Sequence, residues 1–248
     1  MAKTIEIDKT NFPDNNFRRY VKIRFDIDND DALSAEEIAK VTRINIENSD
    51  ITSLKGIEYF TALKELTCSG NHLTELDVSN NTALEQLWCY KNELTSLDVS
   101  KNTVLTELYC YSNKLTSLDV SNCTALTEMN CGFNRLTNLN LSNCTALEQL
   151  WCDENELTSL DVSNCIVLKR LQCHYNPLTS LDVSNNPELM LLYCRNDNPM
   201  NLYISNNQPE IIGNVLPIKK DIESTFSKFD NEVMIKKIFH EHEEELEM

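Results

Sequence analysis

The string Leu63-x-x-Leu66-x-Cys68-x-x-Asn71-x-Leu73 recurs through the middle of this chain at a fixed period of 21 residues. It returns from Leu84, Leu105, Leu126, Leu147 and Leu168, and in worn form from Leu189. A period near twenty with this pattern marks a solenoid, in which each coil touches only its neighbours and the core extends as a line. Within a coil, x-Leu-x-Cys-x alternates as a strand does, with Leu and Cys turned inward. Stacked in parallel, these strands predict one continuous sheet on the concave side. The Asn column (Asn71, Asn92, Asn113, Asn134, Asn155, Asn176) is expected to bond backbone groups where the chain turns off the strand. The second half of each coil, LDVSN or a near variant, gives Leu and Val to the core and a polar turn to the convex side.

Cysteine placement bears on the same register. Seven of the 10 cysteines form one column (Cys68, Cys89, Cys110, Cys131, Cys152, Cys173, Cys194), and Cys123, Cys144 and Cys165 form another. Free Cys behaves as a small buried hydrophobe, so an internal stack of thiols is expected, with neither disulfides nor zinc. The net charge of −17 argues against nucleic acid, which demands clustered Lys and Arg. No apolar run approaches the roughly 18 residues of a membrane span. The opening residues, MAKTIEID, hold no basic stretch followed by an apolar run, so no signal peptide is visible.

Three regions follow: a helical cap at 1–42, a solenoid at 43–207 and a second cap at 208–248 with a terminal helix. The first coil is a variant, with Val41, Ile44, Ile46, Ile51 and Leu54 offset by 22 residues from the next. The last is degenerate, with Asp197 in the Asn slot and Pro199 in a Leu slot. Phe17, Tyr20, Val21 and Phe25 share a helix face in the first cap, with Pro13 in its first turn. Met234, Ile235, Ile238, Phe239, His242 and Leu246 are spaced for one face of a last helix beginning near Asp230. Between the first helix and the coils, Asp26 to Glu37 reads as an EF-hand-like calcium loop. Asp26, Asp28, Asp30, the Ala32 carbonyl, Ser34 and Glu37 fill its ligand positions. Asp31 stands where that loop has Gly, so binding is expected to be weak and to stiffen the cap. The competing reading is a helix start at Ser34, with Glu37 completing a capping box.

The run Leu-x-x-Leu-x-Cys-x-x-Asn-x-Leu-Thr-x-Leu-Asp-Val-Ser resembles the bacterial leucine-rich repeat proteins, in the style of the internalins, over roughly residues 41–207. That resemblance implies an α/β solenoid: a right-handed horseshoe or arc used for binding, usually of another protein, and without catalytic residues. Phe12-Pro13-Asp14 and Gly56-Ile57-Glu58 also resemble the amino-terminal cap of secreted members. A secreted or cell-surface location follows from the resemblance, whereas the absent signal peptide and the thiols point to the cytoplasm.

Function then reduces to the concave face. Projecting the register outward places Trp88, Tyr109, Trp151 and Tyr193 in one column and Tyr90, Tyr111, Asp153, His174 and Arg195 in the next. Both tryptophans of the chain fall in the same slot. Exposed aromatics with polar rims mark binding surfaces, although stacking on neighbouring coils is the alternative use of such rings. A monomeric binder of a protein or peptide is the leading expectation, and a carbohydrate binder using the same rings is the alternative. No nucleophile elbow, phosphate-cradling loop or His-Glu-x-x-His string occurs. Glu107 and Glu128 gain no activating neighbour in the sequence register, so no enzyme is expected. His240-Glu241-His242 reads as part of a solvated acidic tail.

Overall fold

The computed structural model of the protein describes residues 4–195, 200–205 and 233–238. Eight three-residue strands make one parallel sheet in chain order: Arg43–Asn45, Glu65–Thr67, Gln86–Trp88, Glu107–Tyr109, Glu128–Asn130, Gln149–Trp151, Arg170–Gln172 and Leu191–Tyr193. Neighbours pair in the register the sequence dictates, Leu87 against Leu108 and Leu150 against Leu171. The first pair carries the offset of 22, with Ile44 against Leu66. The ladder continues one residue past each strand, as where Cys110 N–H donates to the Asn130 carbonyl at 2.8 Å.

Two residues after each column cysteine from Cys68 to Cys173 the chain leaves the sheet through a left-handed residue, Gly70 in the first case. Lys91, Ser112, Phe133, Glu154 and Tyr175 have φ between 52° and 55°. That turn frees backbone groups, and the Asn column takes them up as expected. Asn113 Nδ2 donates to the carbonyls of Cys110 at 3.0 Å and of Cys89, one coil back, at 3.1 Å. Its Oδ1 accepts from Leu94 N–H at 3.0 Å. Asn92, Asn155 and Asn176 repeat the arrangement. Each amide therefore fastens its own turn to the preceding coil.

A second polar column lies on the opposite edge of the core. Asn81, Asn102 and Asn186 share a slot with Cys123, Cys144 and Cys165, and all are fully buried. Asn102 Nδ2 donates to the Val78 and Asn81 carbonyls at 3.1 and 2.9 Å. Cys123 and Cys144 place Sγ 3.6 and 3.5 Å from the equivalent Val99 and Val120 carbonyls. The Oδ1 atoms of Asn81 and Asn102 have no partner among the described residues. The slot calls for a donor alone, which explains why a thiol substitutes for an amide there. All ten cysteines are free and buried. Burial pushes the Cys89 thiol up to about 12 and the Cys165 thiol to about 11.

At the N-terminal end, helix α1 spans Asn15–Phe25 and α2 spans Ala35–Lys40. Pro13 sits outside α1, whose N-cap is Asp14. Asp14 Oδ1 accepts from Asn16 and Phe17 N–H, and Oδ2 accepts from Thr52 N–H and Oγ1–H, all at 2.9 Å. One carboxylate thus caps the helix and ties it to the first coil. Phe17 and Val21 are buried, and Phe12, Phe17 and Phe60 close over the open end of the core. Gly56, with φ of 105°, leaves room for this, since a Cβ there would lie 2.3 Å from the Phe12 ring.

The far end departs from expectation. Val233–Ile238 is a strand, not part of a helix beginning near Asp230. It pairs in parallel with Met200–Ser205, which in turn pairs with Ser180–Asp182 on the convex side. A run as short as Val-Met-Ile-Lys-Lys-Ile satisfies helix or strand spacing equally. Pairing with Met200–Ser205, whose backbone groups are otherwise an open edge, decides for the strand. Asp197, Pro199, Phe239, His240, Glu241, His242 and Leu246 lie outside the described residues.

Candidate functional site

The strands are short and the inward residues fixed, so the outward side chains fall into columns that the sheet spacing of about 4.8 Å brings into contact. Trp88 and Tyr109 meet edge to face with centroids 5.8 Å apart, and Tyr90 and Tyr111 stack at 4.5 Å with a 6° interplanar angle. Their hydroxyls are engaged as well. Tyr90 donates to Glu47 Oε1 at 2.9 Å and Tyr109 to Glu128 Oε2 at 2.7 Å. Burial, then the hydrogen bond to Glu128, pushes the Tyr109 hydroxyl well above its usual range. These four rings form two half-buried pairs, so the stacking alternative holds for the first half of the strip.

The second half differs. Trp151 and Tyr193 have Asn130 and Gln172 as column neighbours and no ring partner among the described residues. His174, Tyr175, Tyr193 and Arg195 line a cavity of about 130 Å³. His174 meets Tyr175 edge to face at 5.1 Å, and its Nε2 lies 3.9 Å from Asp153 Oδ2. Asp153 is only 7 % exposed, and burial raises its carboxyl above the usual range despite the nearby imidazole. All nine outward residues expected from the register therefore lie along one strip, but aromatic support and open chemistry are segregated along it.

Two members were missed. Phe133 and Tyr175 are 55 % and 43 % exposed, at the left-handed positions bordering the strip. The register alone places them one residue beyond the Gly132 and His174 slots, and their size at a turn was the available signal. Glu107 and Glu128 accept from Gln86 and Gln149 side chains at 2.9 and 2.8 Å, so these carboxylates serve the ladder.

In the loop between the helices, carboxylate oxygens of Asp26, Asp28 and Asp30 all lie within 4.8 Å of one another. Asp31 adopts φ of 66°, the conformation Gly would give. Glu37 accepts from Ile27 N–H at 2.7 Å and from Ser34 N–H and Oγ–H at 2.8 Å, completing the capping box. Ala32 lies in a two-residue strand paired with Ile5–Glu6. Burial raises the Asp28 carboxyl first, and the charges of Asp30, Glu37 and Asp26 add to it.

No family model matches the chain. Over 70 residues it is 42 % identical to Internalin J of Listeria monocytogenes, a stretch covering 28 % of this chain and 8 % of that protein. Among solved structures, internalin C2 from the same species aligns with 96 % of this chain and 99 % of its own, at 20 % identity and a TM-score of 0.64. The chain is a leucine-rich repeat protein similar to the bacterial internalins. The functional domain of Listeria monocytogenes InlJ, described as including a cysteine ladder, shares 32 % identity over 82 % of this chain and 57 % of that domain, at a TM-score of 0.45. The matched stretch spans under a tenth of the length of these curated relatives. Among its described residues no helix is long and apolar enough to cross a membrane.

Proposed function

We propose that this chain is a non-enzymatic protein-interaction module that holds its partner on the sheet face. The observation that carries the reading is the division of the strip. Four rings are taken up in two pairs, while Trp151 and Tyr193 are half-exposed with no ring partner among the described residues, and Tyr193 lines the cavity with His174, Tyr175 and Arg195. Large rings held on a rigid sheet lose little freedom on binding, which is why aromatic anchors dominate interfaces. The test is to probe arrays of purified proteins and of glycans with the labelled chain and with a Trp151→Ala, Tyr193→Ala variant. Protein targets lost in the variant, with its melting temperature retained, support the reading. A saturable glycan target with no protein target overturns it in favour of a carbohydrate-binding surface protein.

We also propose weak calcium binding by Asp26, Asp28, Asp30, the Ala32 carbonyl, Ser34 and Glu37. The close approach of three carboxylates favours this, since a hard cation would relieve their mutual repulsion. Its expected range is roughly 10⁻⁴–10⁻³ M. Calorimetric titration showing no heat, with no rise in melting temperature at millimolar calcium, disposes of it.

A further inference from the structure

The cavity lined by His174, Tyr175, Tyr193 and Arg195 lies toward the C-terminal end of the sheet face, and we propose that it receives the carboxylate of a glutamate or aspartate side chain from the partner polypeptide. The inference rests on the sheet face being a protein-binding surface and names the chemistry this end of it selects. The volume of about 130 Å³ equals about four waters at roughly 30 Å³ each, which suits a carboxylate on a short stem. Tyr175 is 43 % exposed and Arg195 is exposed as well, so the cavity opens to solvent.

The polar groups that line it are short of partners. Arg43, Lys64, Lys114 and Lys169 each face a carboxylate from an adjacent coil. Arg195 has no ion pair among the described residues, since the slot one coil back holds His174 and not an acid. Asp153, the nearest acid of that column, stands a further coil away. His174 Nδ1 is buried without a hydrogen-bond partner among the described residues. Its Nε2 lies 3.9 Å from Asp153 Oδ2, beyond hydrogen-bond distance. The imidazole is nonetheless held in place, edge to face against Tyr175 at 5.1 Å. Tyr175 in turn is tied to the last coil, its N–H donating to the Arg195 carbonyl at 2.9 Å.

A buried ring nitrogen without a partner is costly, and an arriving carboxylate oxygen relieves it by accepting from Nδ1–H. The guanidinium of Arg195 matches a carboxylate with two parallel N–H···O bonds, the pairing a planar fork makes best. The phenol rings of Tyr175 and Tyr193 flank the stem. Local charge agrees, because Arg170, His174 and Arg195 occupy outward slots of the last coils, whereas Glu65, Glu107 and Glu128 occupy those of earlier ones. The net charge of −17 is screened within about 8 Å at physiological salt, so the groups lining the cavity decide the contact.

The test titrates the full chain with N-acetyl-glutamate N-methylamide and its neutral isostere N-acetyl-glutamine N-methylamide, following the His174 imidazole and Tyr193 ring signals by NMR. The glutamate compound is expected to shift both signals saturably, with the glutamine compound about tenfold weaker. Arg195→Gln is expected to remove that preference at an unchanged melting temperature, while Arg170→Gln, a cation outside the cavity, keeps it. Equal shifts by the two ligands, or an unchanged preference in Arg195→Gln, overturn the proposal. Equal loss of preference in Arg170→Gln also overturns it, by showing a diffuse charge effect. Tighter binding of inorganic phosphate than of the glutamate compound overturns the carboxylate assignment. These ligands probe the cavity without any partner. Their failure, with protein targets still lost in the Trp151 and Tyr193 variant, removes this inference and leaves the protein-binding reading standing.

Discussion

Single side chains in this molecule do their work by closing hydrogen bonds that the coil geometry opens. Replacing Asn113 with Ala removes two donors from the Cys89 and Cys110 carbonyls and an acceptor from Leu94 N–H. Buried groups left this way cost about 1–3 kcal/mol each. The expected loss is roughly 3 kcal/mol in urea unfolding, after partial relaxation, with an unchanged denaturant slope. The thiols carry a second expectation. With all ten buried and the Cys89 thiol pushed up to about 12 by burial, a disulfide reagent should label none of them in the native state. Labelling should become complete once the chain is unfolded in guanidinium, and rapid native labelling of any thiol would contradict the packing. Both columns of cysteine were legible in the sequence because the register fixes which slots turn inward. The Asn81, Asn102 and Asn186 column was not, because each amide follows another polar residue (Asn80, Lys101, Asn185) in a turn where either one satisfies a polar pattern.

At the scale of elements, what could be read depended on how often a signal repeated. The strands, seen many times in register, were readable to the residue, and the offset of 22 at the first coil is found in the pairing of Ile44 with Leu66. Val233–Ile238 appears once, and its conformation is set by a partner strand some thirty residues earlier, which no local pattern contains. The outward strip was equally readable, yet the split between stacked and unpartnered rings was not. It depends on side-chain rotation, which periodicity does not fix. Helix α1 depends on Asp14, where burial raises the carboxyl but hydrogen bonds from the Phe17 and Thr52 amides, the Thr52 hydroxyl and the Asn16 amide outweigh it. Asp14→Ala removes the N-cap and the tie to Thr52 together. A loss of about 1–2 kcal/mol is expected, near the upper end for caps, and hydrogen exchange should accelerate in α1 before it does in the sheet.

For the whole molecule, the repeated aspartates of the second half-coil act in concert. The Ser79, Ser121 and Ser163 hydroxyls and amides hold Asp77, Asp119 and Asp161 below the usual carboxylate range, and the Ser100 amide and hydroxyl do the same for Asp98. A carboxyl depressed in the folded state contributes stability above its unfolded pKa of about 3.9 and loses it as pH falls through the folded value. Asp153 has the opposite sign. Its raised carboxyl destabilises the ionised folded state, and that penalty fades as pH falls through its folded value. Melting temperatures measured from pH 7 downward should therefore hold or rise slightly, then drop steeply below about pH 4. Asp153→Asn should abolish the rise and spare the drop. The asparagine clamps have a consequence for how such a protein changes over generations. Each reaches back a single coil and finds identical carbonyls there, so duplicating any one 21-residue unit recreates every internal bond without a compensating substitution. The breadth of the sheet face is thus an inheritable length, adjustable one coil at a time, while the interior chemistry stays the same.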